Sequence, residues 1–261
     1  MDSNELPAFF YEIFDPSLPR LNPGDEASTL RALNLLRSAG SAGEGQAALR
    51  FRRILDLGCG CGGQTLSLAR HTQGPILALD NHQAYLDELR RRAEAAGLSG
   101  RIQTVRRDMR TLTAEDGPFD LIWSEGALFV IGFREGLTIC HSLLTPGGGL
   151  AVSELCWLRP DAPADCRHFF SEGYPAMTDV EAALSAIRAC GYELLGHFTL
   201  PESAWWTSYY HPVEERLHLL RQRHAGNAEN LLMIESIQKE IDMYRQHSDY
   251  YGSVFFVMRC R

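Results

Sequence analysis

The stretch Ile54-Leu55-Asp56-Leu57-Gly58-Cys59-Gly60-Cys61-Gly62-Gly63 runs from an apolar strand through an acid into a glycine-rich turn and on into a helix. Glycines at 58 and 60 remove the Cβ atoms that would hold a ligand off the backbone. A helix starting near Gly63 aims its unpaired N–H groups at that ligand. The chemistry is that of gripping a nucleotide cofactor. Two cofactor classes satisfy this stretch, because Gly58, Gly60 and Gly63 also spell G-x-G-x-x-G and Asp80 follows at the distance a dinucleotide binder requires.

Asp56 begins to separate the two. A pyrophosphate binder gains nothing from a carboxylate just ahead of its phosphate loop, where like charges repel. A cofactor carrying an ammonium and a sulfonium, as S-adenosylmethionine does, makes that acid useful. Asp80 suits a ribose diol, and Asn81 can flank the adenine edge. Asp108 can accept from an adenine amino group while the backbone of Met109 donates to the adjacent ring nitrogen and its thioether offers a soft apolar surface. Each acid also has a purely structural reading: Asp56 and Asp108 as turn residues, Asp80 as the cap of the following helix.

Further candidates for chemistry stand at other strand ends. Ser124 and Glu125 close one strand, and Glu125 sits beside the small residues Gly126 and Ala127. It can bind a cofactor ammonium, orient a cationic substrate, act as base, or cap a helix. Glu154 and Trp157 close the next strand and can form a pocket wall. The aromatic run that includes Trp205 and Tyr209 can shape a lid over a substrate, with Tyr11 joining it from the N-terminus. His211 titrates in the range suited to a base.

Composition narrows the field. The chain has 261 residues and a formal net charge of -8, with no Lys/Arg run to offset it, which argues against a nucleic-acid binder. The N-terminus carries acids and prolines, and no run of about 18 apolar residues occurs, so neither export nor membrane insertion is expected. Seven scattered cysteines are an odd number in a chain too large to need staples; reduced thiols and a cytoplasmic location are expected. Cys59 and Cys61 have no second pair at zinc spacing, and no metal is expected.

The elements that must position these residues alternate. Helical periodicity over 25–39 leads through a small-residue linker, 38–46, to strand 54–57. Helix 64–71, strand 76–79, helix 83–96 and strands 102–106 and 119–124 follow, then helix 132–144 and strand 150–155. Helix 179–190, strand 192–200 and a last strand, 254–258, complete the pattern. Short apolar strands separated by helices predict a doubly wound α/β sheet, mostly parallel, covered on both faces. Some 50 residues with two helical patterns, 213–223 and 228–245, precede the last strand. A connection of that length needs a purpose. The expected division is an N-terminal helical arm and lead-in helix (1–46), a cofactor-binding core (47–200), a helical cap (201–250) and the last core strand (251–261).

The set Asp56-x-Gly58-x-Gly60, Asp80, Asp108-Met109, Phe119-Asp120 and Leu144-Thr145-Pro146-Gly147-Gly148 resembles the class I S-adenosylmethionine-dependent methyltransferases. Trp123-Ser124-Glu125-Gly126-Ala127, Ala151-Val152-Ser153-Glu154, Leu200-Pro201-Glu202, Asp249-Tyr250-Tyr251-Gly252 and Phe10-Tyr11-Glu12-Ile13-Phe14 resemble, more narrowly, a bacterial subgroup of small-molecule methyltransferases. The resemblance implies a Rossmann-like, seven-stranded sheet whose last strand is antiparallel, S-adenosylmethionine as cofactor, and methyl transfer to a small-molecule acceptor; a monomer or homodimer is expected. The competing expectations are a nicotinamide-dependent oxidoreductase, a non-catalytic cofactor-binding regulatory protein, and a methyltransferase acting on tRNA or protein. Acidic balance and a closing cap disfavour the last.

Overall fold

In the strand Ile54–Leu57 every residue is buried, and its alternate side chains serve two different cores. Ile54 faces the helices on one side of the sheet and Leu55 those on the other, which is what a parallel strand covered on both faces requires. The computed structural model describes residues 6–39 and 51–261. Most of the linker expected over 38–46, and the arm–core boundary at 46, lie outside the described residues.

Five strands, β1 (Ile54–Leu57), β2 (Ile76–Asp80), β3 (Ile102–Arg106), β4 (Phe119–Glu125) and β5 (Leu144–Trp157), pair in parallel. A two-residue strand, β6 (Thr178–Asp179), adds to the end of β5. With β7 (Tyr192–Thr199) and β8 (Tyr251–Cys260) the order across the sheet is β3-β2-β1-β4-β5-β8-β7, and β8 runs antiparallel to both neighbours. The path of seven strands and the antiparallel last strand match the expectation. The strand expected over 150–155 begins earlier, at Leu144, because Leu144 already pairs with Phe119 before a register shift. The order reverses between β1 and β4, and a ligand crevice opens outside their carboxyl ends.

Helices α2 (Glu26–Ala39), α3 (Gly63–His71) and α4 (Gln83–Ala95) cover one face through Leu33, Leu36, Leu68, Leu86 and Leu89. Helices α5 (Phe133–Leu143) and α7 (Val180–Ala189) cover the other through Leu137, Cys140 and Ile187. Each Leu or Ile among them contributes about 1.5–3 kcal/mol by burial.

A third core joins the short helix α1 (Ala8–Ile13) to the elements around the expected cap: α6 (Ala164–Gly173), α8 (Glu202–Trp205), the π-helical turn Trp206–Tyr210, α9 (His211–Arg223) and α10 (Ala228–His247). Helix α6 was not expected from the sequence. The N-terminal arm ties this layer to the sheet domain. Glu12 pairs with Arg223 at 2.9 Å and Asp15 with Arg216 at 3.1 Å on α9, while Arg92 of α4 donates to the carbonyls of Pro16 and Leu18.

Candidate cofactor and substrate site

The turn after β1 depends on its glycines. Gly58 has φ +68° and Gly60 φ +51°, a region costly for other residues. A Cβ on Gly58 would stand 2.3 Å from the Ala127 Cβ, and one on Gly60 would crowd Leu21 of the arm. The N–H groups of Gly58 and Cys59 both donate to the Leu79 carbonyl, at 2.8 and 3.0 Å, so the turn is bolted to the end of β2. Helix α3 then starts on Gly62, at φ +83°, with no side-chain cap and no acid in its first turn. Its first N–H groups and its positive dipole end face the crevice.

Asp80 completes this turn. Its Oδ2 accepts from the Gly60 N–H at 3.0 Å and its Oδ1 from the His82 N–H at 2.9 Å. Each oxygen keeps a lone pair, the requirement for receiving a diol. Burial pushes its carboxyl above the ordinary range, against the pull of those two N–H groups.

Asp56 is fully buried and accepts from Thr65 Oγ1 at 2.6 Å and Gln64 Nε2 at 3.3 Å. Burial pushes its carboxyl up to about 7; the two donors oppose that shift, and the charges of Glu125 and Asp80 add to it. The acid therefore anchors the first turn of α3 and, at neutrality, is poised to ionise when a cation approaches.

Asp108 is half-buried, caps the single turn Met109–Thr111 through the Arg110 N–H, and pairs with the Arg110 guanidinium at 2.7 Å, which holds it below the usual carboxylate range. Met109 reaches the glycine turn, its Cε lying 3.4 Å from where a Gly58 Cβ would be. The Asn81 side chain is exposed, and the backbone carbonyl of this residue accepts from Arg106 Nε at 3.1 Å.

Three expected roles are corrected by these contacts. Glu125 is 1% exposed, and its carboxylate receives Arg20 Nη1 at 2.6 Å, Thr29 Oγ1 at 2.8 Å and Trp123 Nε1 at 2.9 Å. It fastens the segment before α2 to the end of β4 and is not a base open to a substrate. Ser124 is fully buried and donates to the Leu57 carbonyl at 3.0 Å, joining β4 to β1 instead of meeting a cofactor. His211 is exposed at the start of α9, against Trp206 and near Glu214, away from the buried rings of the cap.

Glu154 is 6% exposed at the end of β5, where it accepts from Tyr174 Oη at 2.9 Å and the Leu155 N–H at 3.1 Å; burial pushes its carboxyl up to about 7. Trp157 is half-buried, edge-on to Phe170 and Tyr251. Trp205 is buried and stacks on Tyr244 at 4.1 Å, and Tyr209 is buried against Phe14. Tyr11 stacks face to face on His82, ring centroids 3.7 Å apart, which sets the arm beside the end of β2.

Sequence reasoning passed over Arg20, Tyr85 and Glu240. Arg20 is 8% exposed and its guanidinium lies within 3.4 Å of where a Gly63 Cβ would be, placing a cation at the start of α3. No spacing announces it, since it lies in an irregular segment. Tyr85 Oη donates to the Phe14 carbonyl at 2.7 Å, another arm contact invisible in one dimension. Glu240 was detectable: it lies three residues after Ile237 and four before Tyr244, on the apolar stripe of α10.

A family model described as a methyltransferase domain matches residues 54–148. Sterol 24-C-methyltransferase erg-4 of Neurospora crassa is 27% identical over 179 residues, which cover 65% of this chain and 47% of that protein. The chain thus spans about half the length of the curated relatives it matches. The S-adenosylmethionine-dependent methyltransferase of Thiobacillus denitrificans, solved with S-adenosylhomocysteine, superposes with a TM-score of 0.79 at 19% identity over 98% of this chain and 100% of that one. The YjhP protein of E. coli gives 0.80 at 19% identity, again over 98% and 100%. The matched segment begins at β1 and ends at Gly148, within β5, so it contains the glycine turn, Asp80 and Asp108; residues 54–148 match a methyltransferase domain, in a chain whose fold is similar to that of S-adenosylmethionine-dependent methyltransferases.

Proposed function

We propose that the protein transfers a methyl group from S-adenosylmethionine to a small-molecule acceptor. The observation that carries this reading is the Asp80 carboxylate: it receives the Gly60 N–H of the glycine turn and keeps lone pairs for a ribose at the end of β2, next to the strand where the order reverses. The residues fit the cofactor's parts. Asp80 suits the ribose, Met109 and Asp108 the adenine, and Asp56 the ammonium, while Arg20 and the open start of α3 suit the carboxylate. Asn81, exposed at the rim, can flank the base.

When bound, the cofactor supplies an activated methyl on a sulfonium that departs by in-line displacement. The chain's work is then to orient the acceptor and exclude water. The arm, the end of β5 and the cap would do this through Tyr11, Trp157, Trp205 and Tyr209, whose rings lie in or beside one aromatic layer. Glu154 is the carboxylate suited to taking a proton from an acceptor that must lose one, since its pKa of about 7 matches that task. The residues divide accordingly into arm (1–46), core (47–200), cap (201–250) and final strand (251–261). Among the described residues no helix is long and apolar enough to cross a membrane, and the seven cysteines are free thiols. We expect a cytoplasmic enzyme, with no nucleic acid or membrane among its partners, acting as monomer or homodimer.

Methyl-labelled S-adenosylmethionine incubated with the protein and a deproteinised metabolite extract tests the reading. Label should enter the small-molecule fraction together with S-adenosylhomocysteine formation. Label entering only added tRNA or protein would overturn the acceptor class.

A further inference from the structure

The two oxygens of Glu154 are treated differently. Tyr174 Oη and the Leu155 N–H both donate to Oε1, at 2.9 and 3.1 Å, while Oε2 meets no donor among the described residues. The residue is only 6% exposed, yet Oε2 is not one of the fully buried side-chain atoms without a partner, which among the described residues are Arg101 Nε, Trp205 Nε1 and Tyr251 Oη. The surface that this carboxyl keeps therefore includes Oε2. No cation offsets its charge. Across β8 it stands opposite Val254, the next titratable group on its own strand is the buried Cys156 thiol, and Asp179 of β6 is exposed beside Trp157. Support for an ionised Glu154 comes from the two donors on Oε1.

Tyr174 is itself held in place. It follows α6, where its N–H donates to the Phe170 carbonyl at 2.8 Å and its own carbonyl accepts from the Met177 N–H at 3.0 Å. Burial and the neighbouring acid push its phenol up, so it remains a donor throughout the physiological range. Glu154 also stands next to the cofactor side of the sheet. Ser153, the residue before it, accepts the Gly126 N–H on its Oγ at 2.9 Å, and Ala127 packs against Gly58 of the glycine turn. The same segment carries Phe129, whose ring lies edge-on to Tyr174 at 6.0 Å.

We propose that Tyr174 is a positioning residue for methyl transfer: by occupying Glu154 Oε1 it leaves Oε2 as the oxygen that takes a proton, and the acceptor carries that proton on the atom to be methylated. The proposal rests on the methyltransferase reading for the transfer and on the two hydrogen bonds for the base. The acceptor's X–H bond, with X an oxygen, nitrogen, sulfur or acidic carbon, gives its proton to Oε2 and its electron pair to the new bond with the methyl carbon. The methyl–sulfur pair departs on sulfur, giving S-adenosylhomocysteine, and the proton passes from Glu154 to solvent. A tertiary amine or a thioether needs no base and has no use for this arrangement.

Difference infrared spectroscopy of the full-length protein follows the protonated carboxyl stretch with pH, and the Glu154→Gln spectrum identifies the band that belongs to Glu154. Its midpoint should lie near neutrality in the wild type. In Tyr174→Phe it should rise by about one to two pH units, because a hydrogen bond to the ionised acid is lost. Label transfer from methyl-labelled S-adenosylmethionine into a dilute deproteinised metabolite extract supplies the second readout. In Tyr174→Phe its rate should fall about tenfold or more at pH 6 and less than about threefold at pH 9, whereas loss of a merely structural tie lowers both alike. A wild-type midpoint in the ordinary carboxylate range, a midpoint unmoved in Tyr174→Phe, or equal loss at the two pH values would overturn the proposal. The first outcome needs no variant and decides alone should Tyr174→Phe fail to fold. If no label is transferred at any pH, the methyltransferase reading falls, and the infrared midpoints still decide whether Tyr174 sets the ionisation of Glu154.

Discussion

Arg20 and Glu125, 105 residues apart in sequence, meet in a buried ion pair at 2.6 Å beside the glycine turn. The pair joins the irregular segment before α2 to the end of β4, and Thr29 and Trp123 complete the hydrogen bonding of the acid. Removing one partner of such a pair leaves an uncompensated charge in the interior. Arg20→Ala is therefore expected to lose about 3–5 kcal/mol of stability in urea unfolding and to weaken S-adenosylhomocysteine binding, because the cation at the start of α3 is gone. A loss below about 1 kcal/mol, the size of an exposed pair, would show that the segment is not fixed in this way.

Asp80 has a different consequence. Asp80→Ala should raise the dissociation constant for S-adenosylhomocysteine by the equivalent of about 1–3 kcal/mol while the fold persists, since a ribose loses its charged acceptor and the Gly60 N–H loses its anchor. Circular dichroism checks the fold and calorimetry the affinity. An unchanged constant would remove Asp80 from the cofactor site.

Asp56 predicts a pH effect on stability. Its pKa is raised by folding, from an ordinary 3.8 to about 7, so between these values the folded chain holds a proton that the unfolded chain releases. Stability from this group accordingly falls as pH rises through that window and stays reduced above it. Asp56→Asn should remove that share of the slope in denaturation measured from pH 4 to 8. A cofactor ammonium stabilises the ionised acid, so saturating S-adenosylhomocysteine should flatten the wild-type slope. If the ligand leaves the slope untouched, Asp56 does not face the ammonium.

Glu154 makes a kinetic prediction. Its pKa of about 7 requires kcat/KM to rise with pH through neutrality if the acceptor must lose a proton to this carboxylate. Glu154→Gln should lower kcat/KM by about 10²–10⁴-fold and abolish that limb of the profile. A variant that keeps the same limb would assign the titration elsewhere.

The doubly wound sheet was legible because its strands are short apolar runs whose alternate residues face two helical layers, as Ile54 and Leu55 do. The glycine turn and the Asp80 carboxylate that accepts from it were legible for the same kind of reason: their contact is set by residues close in sequence or at a fixed spacing along it. Glu125 misled because a strand-end acid looks alike whether it meets a ligand or a distant arginine. Its partner Arg20 lies in a segment without periodicity. His211 misled through its company: of the aromatic run, Trp205, Tyr209 and Tyr210 turn inward, while the π-helical turn carries His211 to the surface. Helix α6 is a short amphipathic piece whose burial is decided by Tyr251 and Trp157 of distant strands. Glu240 alone could have been found, as a charged residue on an apolar stripe.

The central claim is that the glycine turn, Asp80 and Asp56 form a site for a sulfonium nucleoside and not for a dinucleotide. Calorimetric titration with S-adenosylmethionine and S-adenosylhomocysteine, with NADH as the control ligand, tests it most directly. The account predicts saturable one-to-one binding of the first two and none of NADH. Binding of NADH alone would contradict it and return Gly58, Gly60 and Gly63 to the dinucleotide reading.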